Sequence, residues 1–145
     1  MSVEIEVVRE VAGEVVEALG RLLPQLSRSA KPLDHQALAR IVSCPVNTVL
    51  LARSQGEIVG TLTLVILPIP SGLRARIEDV VVDTAARGRG VGTALTREAL
   101  RLARDQGART VDLTSRPSRD AATRLYEGLG FQRRESQVYR FAVEP

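Results

Sequence analysis

Tryptophan is absent, two tyrosines and two phenylalanines are the only aromatic residues, and cysteine, histidine, methionine and lysine occur once each in 145 residues. So few rings leave no platform on which single-stranded nucleic acid could stack its bases, and no nucleic-acid partner is expected. Cys44 alone cannot close an intramolecular disulfide. Together with His35 it falls short of a zinc ligand set, so no metal site of that kind is expected. No run of about 18 apolar residues exists to cross a bilayer. Residues 1–10 hold Glu4, Glu6 and Glu10 and lack the apolar stretch of a secretory leader, which points to the cytoplasm and to no membrane partner.

What is present is the material of one ordinary globular domain over residues 1–145: 44% hydrophobic and 26% charged residues, enough to build a core. The net charge of +3 is unevenly spread. Residues 1–73 carry 6 basic and 7 acidic side chains, and residues 74–145 carry 14 and 10. All basic residues but Lys31 are arginine, which fits either phosphate recognition or a codon bias. A small anionic ligand suits this chain better than a polyanion.

Apolar spacing predicts the order βααβββαβαβ, an α/β arrangement. Val3–Val8 reads as a strand and Val11–Leu26 as a helix that Pro24 ends or bends. Asp34 caps a second helix that runs to about Ser43, stopped by Pro45. Thr48–Arg53 and Ile58–Leu67 read as an antiparallel hairpin across the four-residue link Ser54-Gln55-Gly56-Glu57, closed by Pro68 and Pro70. Further on, Arg76–Asp83, Thr110–Thr114 and Gln137–Val143 read as strands. Val91 to about Arg104 and Arg119 to about Gly128 read as helices.

The most informative stretch is Glu78-Asp79-Val80-Val81-Val82-Asp83, followed by Arg87-Gly88-Arg89-Gly90-Val91-Gly92 and the helix from Thr93 onward. Glycines at alternate positions let a bound group approach the backbone, and the free N–H groups of a helix start point at it. The helix dipole, Arg87 and Arg89 make phosphate or pyrophosphate the natural guest, although the pattern alone equally fits a plain turn leading into a helix. The Walker and dinucleotide fingerprints both fail on spacing.

These residues resemble the GCN5-related N-acetyltransferase (GNAT) superfamily, whose signature after the fourth strand is Arg/Gln-x-x-Gly-x-Gly/Ala. Its second signature is matched by Leu125-Tyr126-Glu127-Gly128-Leu129-Gly130-Phe131. The close match spans about residues 77–131, and the first 45 residues agree in their pattern of elements. The Glu-Asp-Val-Val-Val strand is also similar to that of glucosamine-phosphate acetyltransferases. The resemblance implies a single-domain α/β fold: a mixed, mostly antiparallel sheet flanked by helices, with strands 4 and 5 splayed into a cofactor cleft. It implies acetyl-CoA as cosubstrate, its pantetheine arm paired to backbone at Val80, Val81 and Val82. Its pyrophosphate falls on the N–H groups of Arg87, Gly88, Arg89, Gly90, Val91, Gly92 and Thr93, and Asp83 is expected to point away from that phosphate. Many members carry Asn seven residues before the motif tyrosine to contact the cofactor; here Arg119 stands there.

The activity implied is transfer of an acetyl group from acetyl-CoA to a primary amine, with a small-molecule acceptor expected, by direct attack in a ternary complex. The alternative is a domain that binds or senses acyl-CoA without turnover. Tyr126 matches the position whose hydroxyl serves as general acid to the departing sulfur; the structural alternative is packing against Leu125 and Leu129. Glu78 and Asp79 are neighbours on a strand, so alternation turns them to opposite sides and lets only one line a pocket. It groups Glu78 with Arg76, Val80 and Val82 and favours Glu78 as base or substrate ligand, against an ion pair with Arg74 or Arg76. His35 reads as a surface helix residue and Cys44 as a small apolar one. By resemblance, residues 22–27 and 67–72 shape the acceptor pocket, Tyr139 lies near the acceptor or a dimer contact unless its strand is simply part of the core, and a homodimer is implied, as is common in the family.

Overall fold

The computed structural model describes residues 2–115 and 120–144, and the chain forms two compact units, Met1–Thr114 and Ser115–Pro145. The first holds β1 (Glu4–Val7), α1 (Gly13–Leu26), α2 (His35–Ser43), β2 (Asn47–Ser54), β3 (Glu57–Ile69), β4 (Gly72–Val82), α3 (Val91–Asp105) and β5 (Val111–Asp112). The second holds α4 (Asp120–Gly128). The strands make an open sheet in the order β1-β2-β3-β4-β5, antiparallel throughout except for the parallel pair β4 and β5. This is the mixed, mostly antiparallel α/β sheet that the family resemblance implied.

Local chemistry explains most boundaries. Val15, Ala18, Leu19 and Leu22 form the buried stripe of α1, and Pro24 falls in its last turn, so the helix stops at Leu26 rather than breaking. The Asp34 side chain accepts from the Ala37 N–H at 2.8 Å and starts α2. Between β2 and β3 the link is two residues, not four. Gln55 and Gly56 both have positive φ, 52° and 82°, the combination whose twist matches the flanking strands. The β3–β4 turn is equally tight, so β4 begins at Gly72 rather than Arg76. Pro68 is accommodated inside β3 near its end, opposite Leu73.

The sheet buries both faces. On one, Val49, Leu51 and Val81 pack beneath α1 and α2 with Leu19, Leu22 and Leu38. On the other, α3 lies across β3, and Gly60 lets it come close: a Cβ there would stand 2.9 Å from Val91 Cγ1 and 3.1 Å from the Val81 carbonyl oxygen. The side chain missing at Gly60 therefore fixes where the first turn of α3 sits.

Two expectations are corrected. Strand β5 is only Val111–Asp112, pairing Ala75 with Val111 and Arg76 with Asp112. Beyond that point β4 runs on to Val82 with no β5 partner among the described residues. The final strand expected at Gln137–Val143 is not formed: residues 131–144 adopt neither helix nor strand. Alternating apolar residues supply a strand with one face but not with a ladder, and no strand among the described residues pairs with this segment.

Filling the Gly60 gap tests the packing of α3. Gly60→Val should destabilise the protein by about 1–3 kcal/mol through overpacking, read as a lower urea midpoint with an unchanged slope.

Candidate active site

The glycine stretch forms the loop into α3. Gly88 and Gly90 take φ of 80° and 78°, a left-handed backbone that a side chain would strain, and nothing lies within 4 Å of where either Cβ would be. Gly90 is the N-cap of α3 and supplies no side-chain cap, so the first-turn N–H groups keep their hydrogen-bonding capacity for a ligand. Arg87, Gly88, Arg89 and Gly90 are exposed, Gly92 and Thr93 half-buried, and Val91 is buried as the anchor of the turn. A phosphate fits this donor set, which is cationic, uncapped and sterically open.

The strand leading to that loop is tethered by α1. Arg21 Nη1 donates to Asp83 Oδ2 at 2.6 Å, and Arg21 Nη2 donates to the Ile58 carbonyl at 3.1 Å. One turn later, Gln25 Oε1 accepts from the Thr84 N–H at 3.1 Å and from its hydroxyl at 3.2 Å. Asp83 also accepts from the Ala85 N–H, starting the short 3-10 turn Thr84–Ala86. Its charge is thus committed to Arg21, in keeping with the expectation that it turns from the phosphate loop.

Upstream, β4 is not a regular strand. Thr61 pairs with Val81 but Thr63 pairs with Glu78, so two steps on β3 oppose three on β4, and Asp79 takes φ of 52°. This bulge reverses the alternation. Glu78 shares a face with Val81, whereas Val80 and Val82 belong to the opposite one; the grouping of Glu78 with Val80 and Val82 is corrected accordingly. The expectation that Glu78 and Asp79 must face opposite sides is overturned as well, for both line a single cavity of about 530 Å³. Leu23, Leu26, Leu33 and Ile41 wall it from the helical side, and Val49, Thr61, Thr63 and Val65 from the sheet. Partial desolvation at the bulge, where Asp79 nevertheless stays exposed, and next the charge of Glu78, push the Asp79 carboxyl above its ordinary value. Glu78 also meets Arg76 Nη2 at 3.5 Å, a long contact between side chains 38% and 49% exposed, which leaves its carboxylate open to a ligand.

In the second unit, Tyr126 lies near the end of α4. Gly130, at φ 99°, donates its N–H to the Glu127 carbonyl, and the Phe131 N–H donates to the Tyr126 carbonyl at 3.0 Å. That is the paired helix stop with a left-handed glycine, and its accompanying apolar contact is the edge-on packing of Tyr126 and Phe131, ring centroids 5.7 Å apart. The Leu-Tyr to Gly-Phe motif thus has a structural meaning: it ends the helix and orients the tyrosine ring.

Residues 22–27 contribute Leu23, Leu26 and Ser27 to the cavity, whereas residues 67–72 contribute no lining residue and instead form the β3–β4 turn. Alternation set Asp79 against Glu78 as the less favoured of two candidate carboxylates, whereas both line the cavity. Arg119 lies outside the described residues. His35 is exposed, and Cys44 is a half-buried C-cap of α2. Among the described residues no group of three or more His, Cys, Asp or Glu side chains could hold a metal ion, and no helix is long and apolar enough to cross a membrane.

Known proteins share this pattern. Residues 17–131 match the Acetyltransferase (GNAT) family. A glucosamine 6-phosphate N-acetyltransferase of Trypanosoma brucei brucei is 36% identical over 131 residues, 85% of this chain and 84% of that protein. An N-alpha-acetyltransferase RimI of Mycobacterium tuberculosis is 36% identical over 109 residues, 75% of this chain and 67% of that protein. Among solved structures, a transcriptional regulator from Bacillus halodurans C-125 superposes with a TM-score of 0.82 at 29% identity, covering 97% of this chain and 100% of that one.

The raised Asp79 carboxyl has a signed consequence for stability. The native state keeps this proton to higher pH than the unfolded chain does, so ionisation costs native stability as pH climbs from about 4 through the raised value. Asp79→Asn removes that cost while keeping a residue tolerant of positive φ. Thermal melts should coincide in acid, with the variant melting higher at neutral pH; a lower-melting variant at neutral pH would reveal a stabilising contact of the carboxylate.

Proposed function

The chain belongs to the GNAT family and is an N-acetyltransferase, and from that premise we propose that it transfers the acetyl group of acetyl-CoA to a primary amine of a small molecule, by direct attack in a ternary complex. One arrangement carries the proposal: the open, uncapped glycine turn at the head of α3 follows directly on a bulged strand whose two carboxylates line a cavity. The family match across residues 17–131 further supports residues 1–145 acting as one N-acetyltransferase domain.

Bound acetyl-CoA would supply a thioester, an acyl carbon open to attack with a thiolate leaving group. In this reading the N–H groups from Arg87 to Thr93 hold the pyrophosphate, with Arg87 and Arg89 adding charge. The backbone of Val80, Val81 and Val82, free of β5, pairs with the amide-bearing arm. Arg119 is assigned to the same cofactor. Glu78 takes the amine proton, directly or through water, as the C–N bond forms. Tyr126 would donate its phenolic proton to the sulfur that leaves with the electron pair of the C–S bond. Sulfur and phenol have reference pKa values of about 8.5 and about 10, near enough for the proton to pass. Binding both reactants in line removes the translational cost of their encounter.

Two variants separate binding from chemistry. Gly90→Val places a branched side chain in left-handed backbone and in the ligand's space, and should raise the Kd for acetyl-CoA at least about tenfold by calorimetry. The urea midpoint reports the strain separately. Tyr126→Phe keeps the contact with Phe131 and should lower kcat by about 100-fold with Kd for acetyl-CoA changed less than about twofold. An undiminished kcat would remove the general-acid role.

A further inference from the structure

The cavity beside the bulge is more selective than the general reading requires. Its volume of about 530 Å³ suits a small molecule. Leu23, Leu26, Leu33 and Ile41 are partly buried side chains that pack on the core and present their remaining surface to it. On the sheet side Val49 and Val65 continue the apolar wall. The buried Thr61 hydroxyl is already committed, donating to the Leu50 carbonyl at 2.9 Å. Negative charge is gathered where the bulge brings Glu78 and Asp79 to one side, Ser27 and Thr63 add hydroxyls elsewhere, and Lys31 is the single cation among the described lining residues.

From this distribution we infer that the acceptor is a primary amine carried on an uncharged apolar body, held with its ammonium group against Glu78 and Asp79. The inference rests on the N-acetyltransferase reading and narrows its substrate. A phosphorylated amino sugar would bring negative charge to a lining that is itself net negative, one lysine against two carboxylates. Its ring hydroxyls would exchange water for leucine and valine, and unpaired polar groups are costly to bury. A polyamine would satisfy the carboxylates with one ammonium but press the others on the same apolar wall. A monoamine with an alkyl or aryl body buries no polar group of its own without a partner: the charge meets the bulge and the body covers Leu23, Leu26 and Val65.

Binding and turnover are tested separately. Calorimetry with acetyl-CoA comes first, and its failure would count against the acetyltransferase reading itself. Calorimetry with hexylamine and phenethylamine, which needs no transfer, then tests the cavity. Saturable binding that Glu78→Gln weakens at least about tenfold supports the inference, and absence of binding overturns it. With acetyl-CoA present, CoA release should give kcat/KM values for these two amines at least about tenfold above those for glucosamine 6-phosphate and spermidine. An equal or reversed ranking, or release with none of the four, overturns the acceptor class even where acetyl-CoA binds. Val65→Thr, which keeps the side-chain shape and adds a hydroxyl, should raise KM for hexylamine about threefold or more with kcat held. An unchanged KM would show that the wall does not touch the acceptor.

Discussion

The bulge at Asp79 is the constraint from which the candidate site follows. A regular β4 would send Glu78 and Asp79 to opposite faces of the sheet, one toward α3 and one toward α1 and α2. One left-handed residue removes that choice and keeps both carboxylates beside the same cavity. It also lets Val81 continue the core beneath α1 while Val80 and Val82 turn to the α3 side. The strain of a positive φ at a residue with a side chain and the raised pKa of its carboxyl occur together, as backbone strain at functional positions commonly does.

Helix α1 joins the two halves of the first unit's chemistry. Its Arg21 and Gln25, one turn apart, hold Asp83 and Thr84 at the end of β4, immediately before the glycine loop. Its Leu19, Leu23 and Leu26 turn to the cavity instead. The same helix therefore sets the position of the glycine turn and of the apolar wall. Gly60 does the corresponding work from the other face, setting how closely Val91 and the start of α3 approach the sheet.

Much of this was legible in the sequence for identifiable reasons. Helices α1, α2 and α3 announce themselves by apolar spacing and, for α2, by the Asp34 cap. The alternate glycines mark the one place where positive φ and open space coincide. The boundaries that moved did so through backbone effects that residue patterns do not encode: the Gln55-Gly56 turn tightened because two left-handed residues match strand twist, and β4 lengthened because the opposite turn closed equally tightly. The bulge was the costliest omission, since alternation assumes a strand without an inserted residue. At the other end, the Tyr-to-Phe motif was legible as a signature but its structural meaning, a glycine-stopped helix with a ring contact, came only from the geometry. Residues 137–143 show the converse: a clean alternating pattern without a strand.

The short pairing of β4 with β5 has another side. Past Arg76, the backbone of β4 is an open edge among the described residues, and such an edge invites a strand of another molecule to add to it, the first step of aggregation. The inserted residue at Asp79 and the adjacent negative charges make that edge uneven and repulsive to a second copy of itself. The irregularity that gathers the carboxylates at the cavity thus also makes this stretch of β4 a poor template for a second copy of the same strand.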